Sequence, residues 1–567
     1  MKKTLLIGAG ALVILWLGAT AIIGANTKSQ LEQLLAQYQK AFPFVEAEIT
    51  DYEKGFFSSK GAMEVRLPAT LAVPSQLRQE GDTIGAEESA VQNVALTVRH
   101  GPILFGGLHQ LGYAHVTLKI TDFNEVFQAN PVSQIYKEGK AELSIGISRD
   151  LKFLYSLPKG SFTNAENGMT TSLSLVRIGG GLSKTGISAY GTADTLSAAS
   201  GNEETAFSFQ NVHFDFDASS KLINGLYNGA EDLLDGSQYR YEFDAERLAL
   251  GDANNPAKPN AVFSNLRTSG GAKARLGALI ISDAEIAFDG LRANAPNGLV
   301  DIRAMRFLNE TKLTGDTLSN AITVDLEEST APDLTFGPLD FNAQITGLDA
   351  QQMADAIKVF TAGSVELYAN VFAELRNGNL TTRPDSPEAL ERNAEMVQRY
   401  ANTITAAFES LQNLVNGGMT LTIDDSHYRD QFGRADLDLE ATLAEGNYDF
   451  EANDLSLQLA TGLSATGTAL ADVPFVQRFL AKQLPAAFAD APEEQRSQVL
   501  NQMLEGVIAQ GMTKREGDRL RSDLEINDGA VIVNGNPVID LKALAAAQAA
   551  QRQALEELEG AQRENGN

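Results

Sequence analysis

The sequence predicts an α+β fold that is mostly β: elongated antiparallel sheets with helices packed on them in the C-terminal third, preceded by one N-terminal transmembrane helix. Three observations support this fold class. Runs of alternating apolar and polar residues, the period of a half-buried strand, return through the first two thirds of the chain. Gly, Asn, Asp and Ser bound most runs, and little between them is typical of the crossover helices of a parallel sheet. An uncharged apolar run, Leu5 to Ile23, precedes them all.

The apolar run follows Lys2 and Lys3 and spans 19 residues. At ~1.5 Å per residue it covers roughly the hydrocarbon core of a bilayer. The basic start favours a cytoplasmic N-terminus, so we expect a single-pass membrane protein whose body is exported to the other side of the membrane. A cleaved signal peptide is the alternative, because Ala19 to Ala21 is similar to a cleavage site, but the run is longer than a usual signal core.

Composition excludes some classes of protein. The chain has 567 residues, 43% of them hydrophobic, which is ample for a packed core. It has no Cys, so disulfides, thiolate metal sites and cysteine nucleophiles are absent. The net charge of −28 disfavours nucleic acid as a partner, because a polyanion would be repelled.

The order of patterns divides the chain into four predicted segments. They are the anchor 1–27, a β-rich periplasmic region 28–347, an α+β region 348–539 that continues the sheets, and a partly disordered helical tail 540–567.

Alternation predicts the strands. The predicted strands are Val45–Ile49, Phe57–Leu67, Val94–Val98, Val116–Ile120, Leu143–Ile147, Phe207–Phe216, Tyr239–Leu248, Ile280–Phe288, Ile322–Leu326, Leu339–Ile345, Met419–Ile423, Ala435–Leu443, Leu455–Leu459, Leu520–Ile526 and Ala530–Val533. The last two flank Asn527-Asp528-Gly529, and Asp-Gly is a strong hairpin signal.

Apolar residues at steps of three and four predict the helices. The predicted helices are Lys28–Ala41, Asp349–Phe360, Pro387–Val415, Val473–Phe488, Glu493–Ile508 and, in the tail, Asp540–Glu559.

Three short segments carry a family resemblance. They are Tyr52-Glu53-Lys54-Gly55-Phe56-Phe57-Ser58-Ser59 after the first strand, His100-Gly101-Pro102 at a strand end, and the closing stretch Ile526 to Gly535. Together with the apolar run, their order and spacing resemble the YdgA-like family of bacterial envelope proteins over essentially the full chain, the tail beyond Leu541 excepted. The resemblance implies a Gram-negative inner-membrane anchor and a periplasmic body, and it brings no catalytic, cofactor or metal residues. The motif residues are expected to be structural: Tyr52, Gly55, Phe57, Ser58, Ser59, His100, Gly101, Pro102, Asn527, Gly529, Asn534 and Gly535.

No residue pattern predicts a catalytic, cofactor or metal site. The five histidines, His100, His109, His115, His213 and His427, have no metal-binding spacing. His100 ends a strand before Gly-Pro, where it is expected to hydrogen-bond the turn. Ser58 and Ser59 lack a nucleophile elbow, so turn or strand-edge hydrogen bonding is favoured.

Two further patterns are interpreted as structural features without a chemical role. Asp215 and Asp217 lie on one face of a predicted strand, as do Asp436 and Asp438 on another. Each pair could form a calcium site or an acid–base pair, but such alternation in an acidic protein more often marks the solvent-exposed face of a sheet. Gly179–Gly181 and Gly270–Gly271 match no phosphate or dinucleotide motif and are predicted as loops or bulges.

Three functional hypotheses follow. The first is a non-enzymatic binding or envelope-maintenance protein whose apolar sheet face takes a lipid-like ligand or an envelope partner. The second is a structural protein that self-associates into a homo-oligomer through sheet edges or the late helices. The third, an envelope hydrolase, needs a pocket that brings His100 or carboxylates to a nucleophile.

Overall fold

The computed structural model describes most of the predicted body and little of the N-terminal part. The described residues are 28–29, 31–32, 35–36, 46–68, 89–104, 108–124, 137–148, 150–163, 170–199, 206–219, 221, 236–251, 259–276, 279–332, 334–357, 359, 405–406, 409–450, 455–482, 484 and 492–551. They contain 25 strands and several helices, so the mostly-β prediction is confirmed.

The predicted transmembrane helix is the part of the fold class that was wrong. In the described part of the chain, no helix is long and apolar enough to cross a membrane. The longest helix with both ends described has 17 residues and begins with two glutamates, whereas a span needs about 20 apolar residues. The apolar run Leu5 to Ile23, on which the prediction depended, lies outside the described residues.

The chain divides into two compact units. The first unit is Met1–Val262 with Thr361–Asn402, and the second unit is Phe263–Phe360 with Thr403–Asn567. The predicted division at 347/348 follows the order of strands and helices along the sequence and stays a prediction.

Twelve strands belong to the first unit. They are β1 (Glu46–Glu53), β2 (Ser58–Pro68), β3 (Ser89–His100), β4 (Gly112–Phe123), β5 (Lys140–Gly146), β6 (Leu151–Leu157), β7 (Gly160–Thr163), β8 (Thr170–Leu173), β9 (Val176–Leu182), β10 (Gly186–Ala199), β11 (Ala206–Ser219) and β12 (Gln238–Gly251). β1 to β6 pair in chain order, and β6, β9, β10, β11 and β12 continue the ladder; every pair is antiparallel. β8 pairs with β10 beyond the end of β9, and β7 pairs with β8.

The core of the first unit lies on one face of β2 to β5. Val98 is completely buried and Val116 is 1% exposed. Leu31 and Leu35, from helical residues before β1, pack against this cluster. Leu31 and Leu35 belong to the apolar stripe predicted for the helix Lys28–Ala41. These two described residues of the stripe therefore cover the strands of the first unit's core.

β13 (Pro259–Arg275) spans the boundary between the units along the chain, and twelve strands follow it. They are β14 (Leu279–Ala295), β15 (Gly298–Thr314), β16 (Thr317–Leu326), β17 (Ser329–Ala331), β18 (Leu334–Asp349), β19 (Met419–Asp430), β20 (Gly433–Leu443), β21 (Leu463–Asp472), β22 (Lys514–Glu516), β23 (Arg519–Asn527), β24 (Ala530–Val533) and β25 (Asn536–Asp540). The antiparallel ladder runs β14, β15, β16, β18, β19, β20, β21, β23, β24, β25; β17 pairs with β15 and β18, and β22 with β23.

Helices complete the second unit. Three have both ends described: α1 (Leu455–Gly462), α2 (Val473–Ala481) and α3 (Glu493–Ala509). Residues 350–357, 409–416 and 541–551 are also helical. Leu279, Leu318, Leu348 and Leu414 form one core cluster of this unit, and Val473 and Leu504 pack with Leu520 in another.

Two element predictions need correction. Leu455–Leu459 was predicted as a strand and begins helix α1, because a short apolar run does not distinguish a strand from a helix by period alone. Helix α2 ends at Ala481 instead of Phe488. Most of the predicted helix Pro387–Val415 lies outside the described residues, and its described part, 405–406 and 409–415, is helical.

We expect Leu279→Ala to destabilise the second unit by about 2–5 kcal/mol, because Leu279 is completely buried in a packed cluster and a cavity would remain. Leu299→Ala on the neighbouring strand β15 is the control, because that side chain is 53% exposed. Urea titration followed by hydrogen exchange of the unit's strands measures both losses. Equal losses in the two variants would contradict the assigned core.

Candidate functional site

The first two motif segments meet at one buried polar pair. Ser59 lies in β2 and His100 ends β3; the Ser59 Oγ and His100 Nε2 atoms are 3.0 Å apart and hydrogen-bonded. Ser59 is 1% exposed and His100 is 3% exposed. The backbone N–H of His100 donates to the Phe57 carbonyl at 3.1 Å, so the pair joins the two motifs through main chain and side chains.

The turn before β2 explains why the motif contains a glycine. The Gly55 N–H donates to Ser59 Oγ at 3.4 Å. A Cβ added at Gly55 would lie 2.1 Å from the Ser58 carbonyl oxygen, so any other residue would force the turn to move. Gly101, directly after His100, has φ 137°, a conformation that also favours glycine.

A serine beside a neutral imidazole is the arrangement of a nucleophile and its base, but this pair lacks two features of such a site. The Ser59 hydroxyl is buried, so no substrate reaches it in this conformation. Within the described residues, no carboxylate hydrogen-bonds the Nδ1 atom of His100 to orient the ring. Burial lowers the pKa of His100, and Lys54 adds to this, while the Phe56 carbonyl opposes it. The arrangement supports the structural role predicted for both residues.

The other four histidines each contact a carboxylate. The Nε2 distances are 2.5 Å from His109 to Asp150, 3.4 Å from His115 to Glu142, 2.5 Å from His213 to Asp215 and 2.7 Å from His427 to Asp340. Hydrogen bonds from Ser148 and then His109 lower the pKa of Asp150 to about 2. Burial lowers the pKa of His115, while Glu142 opposes the change.

The third motif forms two consecutive tight turns. Asp528 and Gly529 have φ of 48° and 77°, and Asn534 and Gly535 have φ of 52° and 84°, the left-handed conformations of a type I′ hairpin turn. Asn527 ends β23, and the Asp528-Gly529 turn joins it to β24, so the predicted hairpin is confirmed.

Asn534 does more than turn the chain. Its Oδ1 accepts from the Asp523 N–H at 3.0 Å, and its Nδ2 donates to the Gly511 carbonyl at 3.1 Å. Gly511 follows helix α3, so Asn534 ties the end of that helix to the hairpin. The local sequence predicts the turn but carries no signal for this contact.

The acidic pairs lie among other charges. Asp436 binds Arg434 and Arg519, which hold its pKa below the ordinary value although burial alone would raise it. Asp438 lies with Asp424 and Asp425, and all three are exposed. Asp215 and Asp217 lie on the polar face of β11, opposite Glu242 and Arg240.

The two glycine runs were predicted as loops or bulges, and the loop prediction is wrong. Gly179–Gly181 lies inside β9 and Gly270–Gly271 inside β13. A Cβ added at Gly179 would meet the Tyr190 ring at 2.5 Å, and one at Gly180 would meet the Ser188 carbonyl oxygen at 2.1 Å. These positions need glycine because strands and rings approach closely, a reason that the sequence pattern alone does not show.

The sequence led us to expect an apolar sheet face but did not locate it. The structure places such a face in the first unit, and we define this apolar face by two rows of cross-strand partners. The first row is Leu118, Ala141, Tyr155, Ile178, Gly191, Phe214 and Phe243. The second row is Val116, Leu143, Phe153, Gly180, Ala189, Phe216 and Tyr241. Neither row contains a charged residue.

The opposite face of the same strands is polar. One of its rows is His115, Ser144, Lys152, Gly181, Ser188, Asp217 and Arg240. Alternation along β9 and β10, Val176-Ile178-Gly180-Leu182 and Ile187-Ala189-Gly191-Ala193, was the available signal for the apolar face. The glycines in both runs concealed it.

These features define a class: an acidic protein of mostly antiparallel β structure, with one sheet face apolar and the other polar. The sequence pattern of one family, described as "Bacterial protein of unknown function (DUF945)", matches residues 1–539. The chain belongs to this bacterial family. The match confirms a family of unknown function over the length of the resemblance and does not confirm the YdgA-like name. It ends before the tail, where departure from the shared pattern was expected. No curated protein and no solved structure matches the chain.

We expect the stability of the first unit to fall as the pH is lowered from about 6.5. Burial holds the pKa values of His100 and His115 in the folded protein below the ordinary histidine value of about 6.5, so the unfolded chain takes up protons first. Their contribution to stability is present above pH 6.5 and is lost as the pH falls toward the lowered values. The slope is at most about 1.4 kcal/mol per pH unit for each histidine.

Urea titrations at several pH values between about 7 and 5 measure this slope. His100→Asn and His115→Asn should each reduce it, and the double variant should reduce it most. A double variant with the wild-type slope would contradict the assignment of this pH dependence to His100 and His115. The Asp150 carboxyl, with a pKa of about 2, acts in a separate and more acidic range, which keeps the two effects apart.

Proposed function

We propose that this protein is a non-enzymatic binding protein of the bacterial envelope, and that the apolar face of its first unit binds a lipid-like ligand. The observation that carries the proposal is the pair of uncharged rows that cross seven strands, from β4 to β12, and are partly exposed on β9 and β11.

One end of the apolar face is covered by other side chains and the other end is exposed to solvent. On β3 and β4 the face is buried beneath Leu31 and Leu35, with Val98 and Val116 in the core. On β9 and β11 it is open: Ile178 is 45% exposed, Leu182 is 43% and Phe214 is 37%. Large neighbouring apolar side chains on a soluble body mark binding surfaces, because exposed hydrocarbon area costs ~25 cal/mol per Å². A hydrocarbon ligand removes that cost without needing any polar partner.

The sequence supports an envelope location for the body. Two lysines before an uncharged apolar run are the pattern that directs a chain to export. A location beside a bilayer gives an apolar sheet face its natural ligands, which are acyl chains.

Self-association is the second candidate function, and β25 is the observation that favours it. All five residues of this strand are exposed, including Val538 and Ile539, and it pairs with β24. Exposed edge strands pair readily with further chains. Crosslinking in intact cells and size measurement after extraction test this candidate, and a strictly monomeric protein counts against it.

We expect gentle purification to retain lipid on the wild-type protein, visible as adducts in native mass spectrometry, and Ile178→Asp to reduce their amount. A carboxylate in the middle of the apolar face must lose its hydration when hydrocarbon covers it. Arg177→Asp is the matched control, because it introduces the same side chain one residue away on the opposite face of β9. Lipid-free wild-type protein, or equal loading of the two variants, would contradict the proposal.

We expect a reporter fused to the C-terminus to be active in the periplasm. Alkaline phosphatase should be active on the full chain and inactive when Leu5 to Ile23 is deleted. A fluorescent protein that fluoresces only in the cytosol should show the opposite pattern. Phosphatase activity without the run, or cytosolic fluorescence with it, would contradict the envelope location.

A further inference from the structure

We propose that one acyl chain binds in a furrow along β10 and that its anionic head group lies beside Lys184. This inference rests on the proposed function and gives it a place and a ligand class: a single-chain anionic amphiphile, tested here as a fatty acid. We define the β10 furrow by its floor, Ala189 and Gly191, and its walls, Ile178 and Leu182 on β9 and Phe214 and Phe216 on β11.

Cross-strand pairing fixes the arrangement. Gly191 is the partner of Ile178 on one side and of Phe214 on the other, and Ala189 has Phe216 on the side of β11. Residues opposite each other in an antiparallel pair share a face, so Gly191 lies between two larger side chains. On the side of β9, the partner of Ala189 is Gly180, where the Phe153 ring packs. The floor and walls contain no charge.

The furrow is open at Gly191. A Cβ added there would find its nearest heavy atoms, the Arg177 carbonyl oxygen and the Phe214 Cβ, 3.9 Å away. Gly180, one row further on β9, is different, because an added Cβ would meet the Phe153 ring at 2.9 Å. The Phe153 ring therefore fills the space over β9, and the free space lies over β10.

The width of the furrow selects its occupant. Its walls stand on β9 and β11, whose backbones are about 10 Å apart because each strand spacing is about 4.8 Å. An α-helix with its side chains is about 10–12 Å wide, which is too wide to enter between the wall side chains. A second sheet packed face to face would be held off by the same wall side chains. Between the wall side chains there is room for one unbranched chain. The stretch of β10 from Ile187 to Ala193, which has the floor residues Ala189 and Gly191 in its middle, is roughly 20 Å long at ~3.4 Å per residue.

Charge marks one end of the furrow. Leu182 and Ile187 are the last partners before the β9–β10 turn, and Lys184 lies in that turn. The Ser183 N–H donates to the Gly186 carbonyl at 2.8 Å, which closes the turn and holds Lys184 at the end of the floor. Lys184 is exposed, and no carboxylate in the described part of the chain forms an ion pair with it. In a chain of net charge −28, this cation is complementary to an anionic head group.

The test measures palmitic acid binding to the full chain by displacement of a dansylated fatty acid. Gly191→Val fills the open floor, and we expect it to weaken binding by about tenfold or more, equivalent to about 1.4 kcal/mol. Valine suits a strand and meets no close atom at this site, so the variant should fold. Thr192→Val on the opposite face is the matched control and should bind like the wild type.

A second pair of variants tests the head group. Lys184→Glu should weaken palmitic acid binding by about fivefold, the range of an exposed ion pair, and should leave binding of uncharged hexadecanol unchanged. Lys152→Glu makes the same charge change on the opposite face and should affect neither ligand. Equal loss for the acid and the alcohol would overturn the position of the head group.

Photocrosslinking of the wild-type protein provides a measurement that needs no variant. A fatty acid with a photoreactive group near its methyl end should label peptides from β9 to β11. Labelling elsewhere, or a Gly191→Val protein that binds like the wild type, would overturn the furrow while leaving a lipid-binding face elsewhere intact. A wild-type protein that binds neither ligand would overturn the proposed function as well.

Discussion

The rest of the structure depends on one constraint: in an antiparallel ladder, the alternation along each strand must agree with that of every neighbour. In the first unit this agreement extends across ten strands, so apolar side chains collect on one face and charged ones on the other. The second unit follows the same rule, with Ile423, Leu439, Gly467, Leu524 and Val533 as successive partners. A shift of one residue in any strand would expose its apolar set on the wrong face.

The sequence predicted strands well where alternation used bulky side chains and poorly where glycine interrupted it. Phe207–Phe216 and Tyr239–Leu248 lie within β11 and β12, whereas β9 and β10 were not predicted. Gly179 and Gly180 have no side chains to show a period, and they lie in a strand because the Tyr190 and Phe153 rings on neighbouring strands occupy the space above them. This packing is a tertiary contact, so it cannot be predicted from the local sequence of β9.

The motif residues show the same division between local and distant information. The turns at Asn527-Asp528-Gly529 and Asn534-Gly535 follow from residues that tolerate positive φ, and their hairpin was predictable. The pairing of Ser59 with His100 was not, because 41 residues separate the partners and only the ladder β1 to β3 brings them together. Burial of the pair, 1% exposure for Ser59 and 3% for His100, is likewise a property of the assembled sheet, and the structural role expected of both residues stays a prediction.

The Ser59–His100 pair lies at the end of the apolar face that Leu31 and Leu35 cover. Ser59 is the partner of Val98, which is the partner of Val116, so this polar pair lies at the start of the second apolar row. There the Ser59 hydroxyl and the His100 Nε2 atom are hydrogen-bonded, while the buried Nδ1 atom of His100 has no hydrogen-bond partner among the described residues. Further along, around Ala189 and Phe216, the same row has partly exposed walls. The buried residues of the face, Val98 and Val116, lie at its covered end, whereas Ile178 and Phe214 further along are 45% and 37% exposed. The covered end therefore contributes more of the hydrophobic stabilisation.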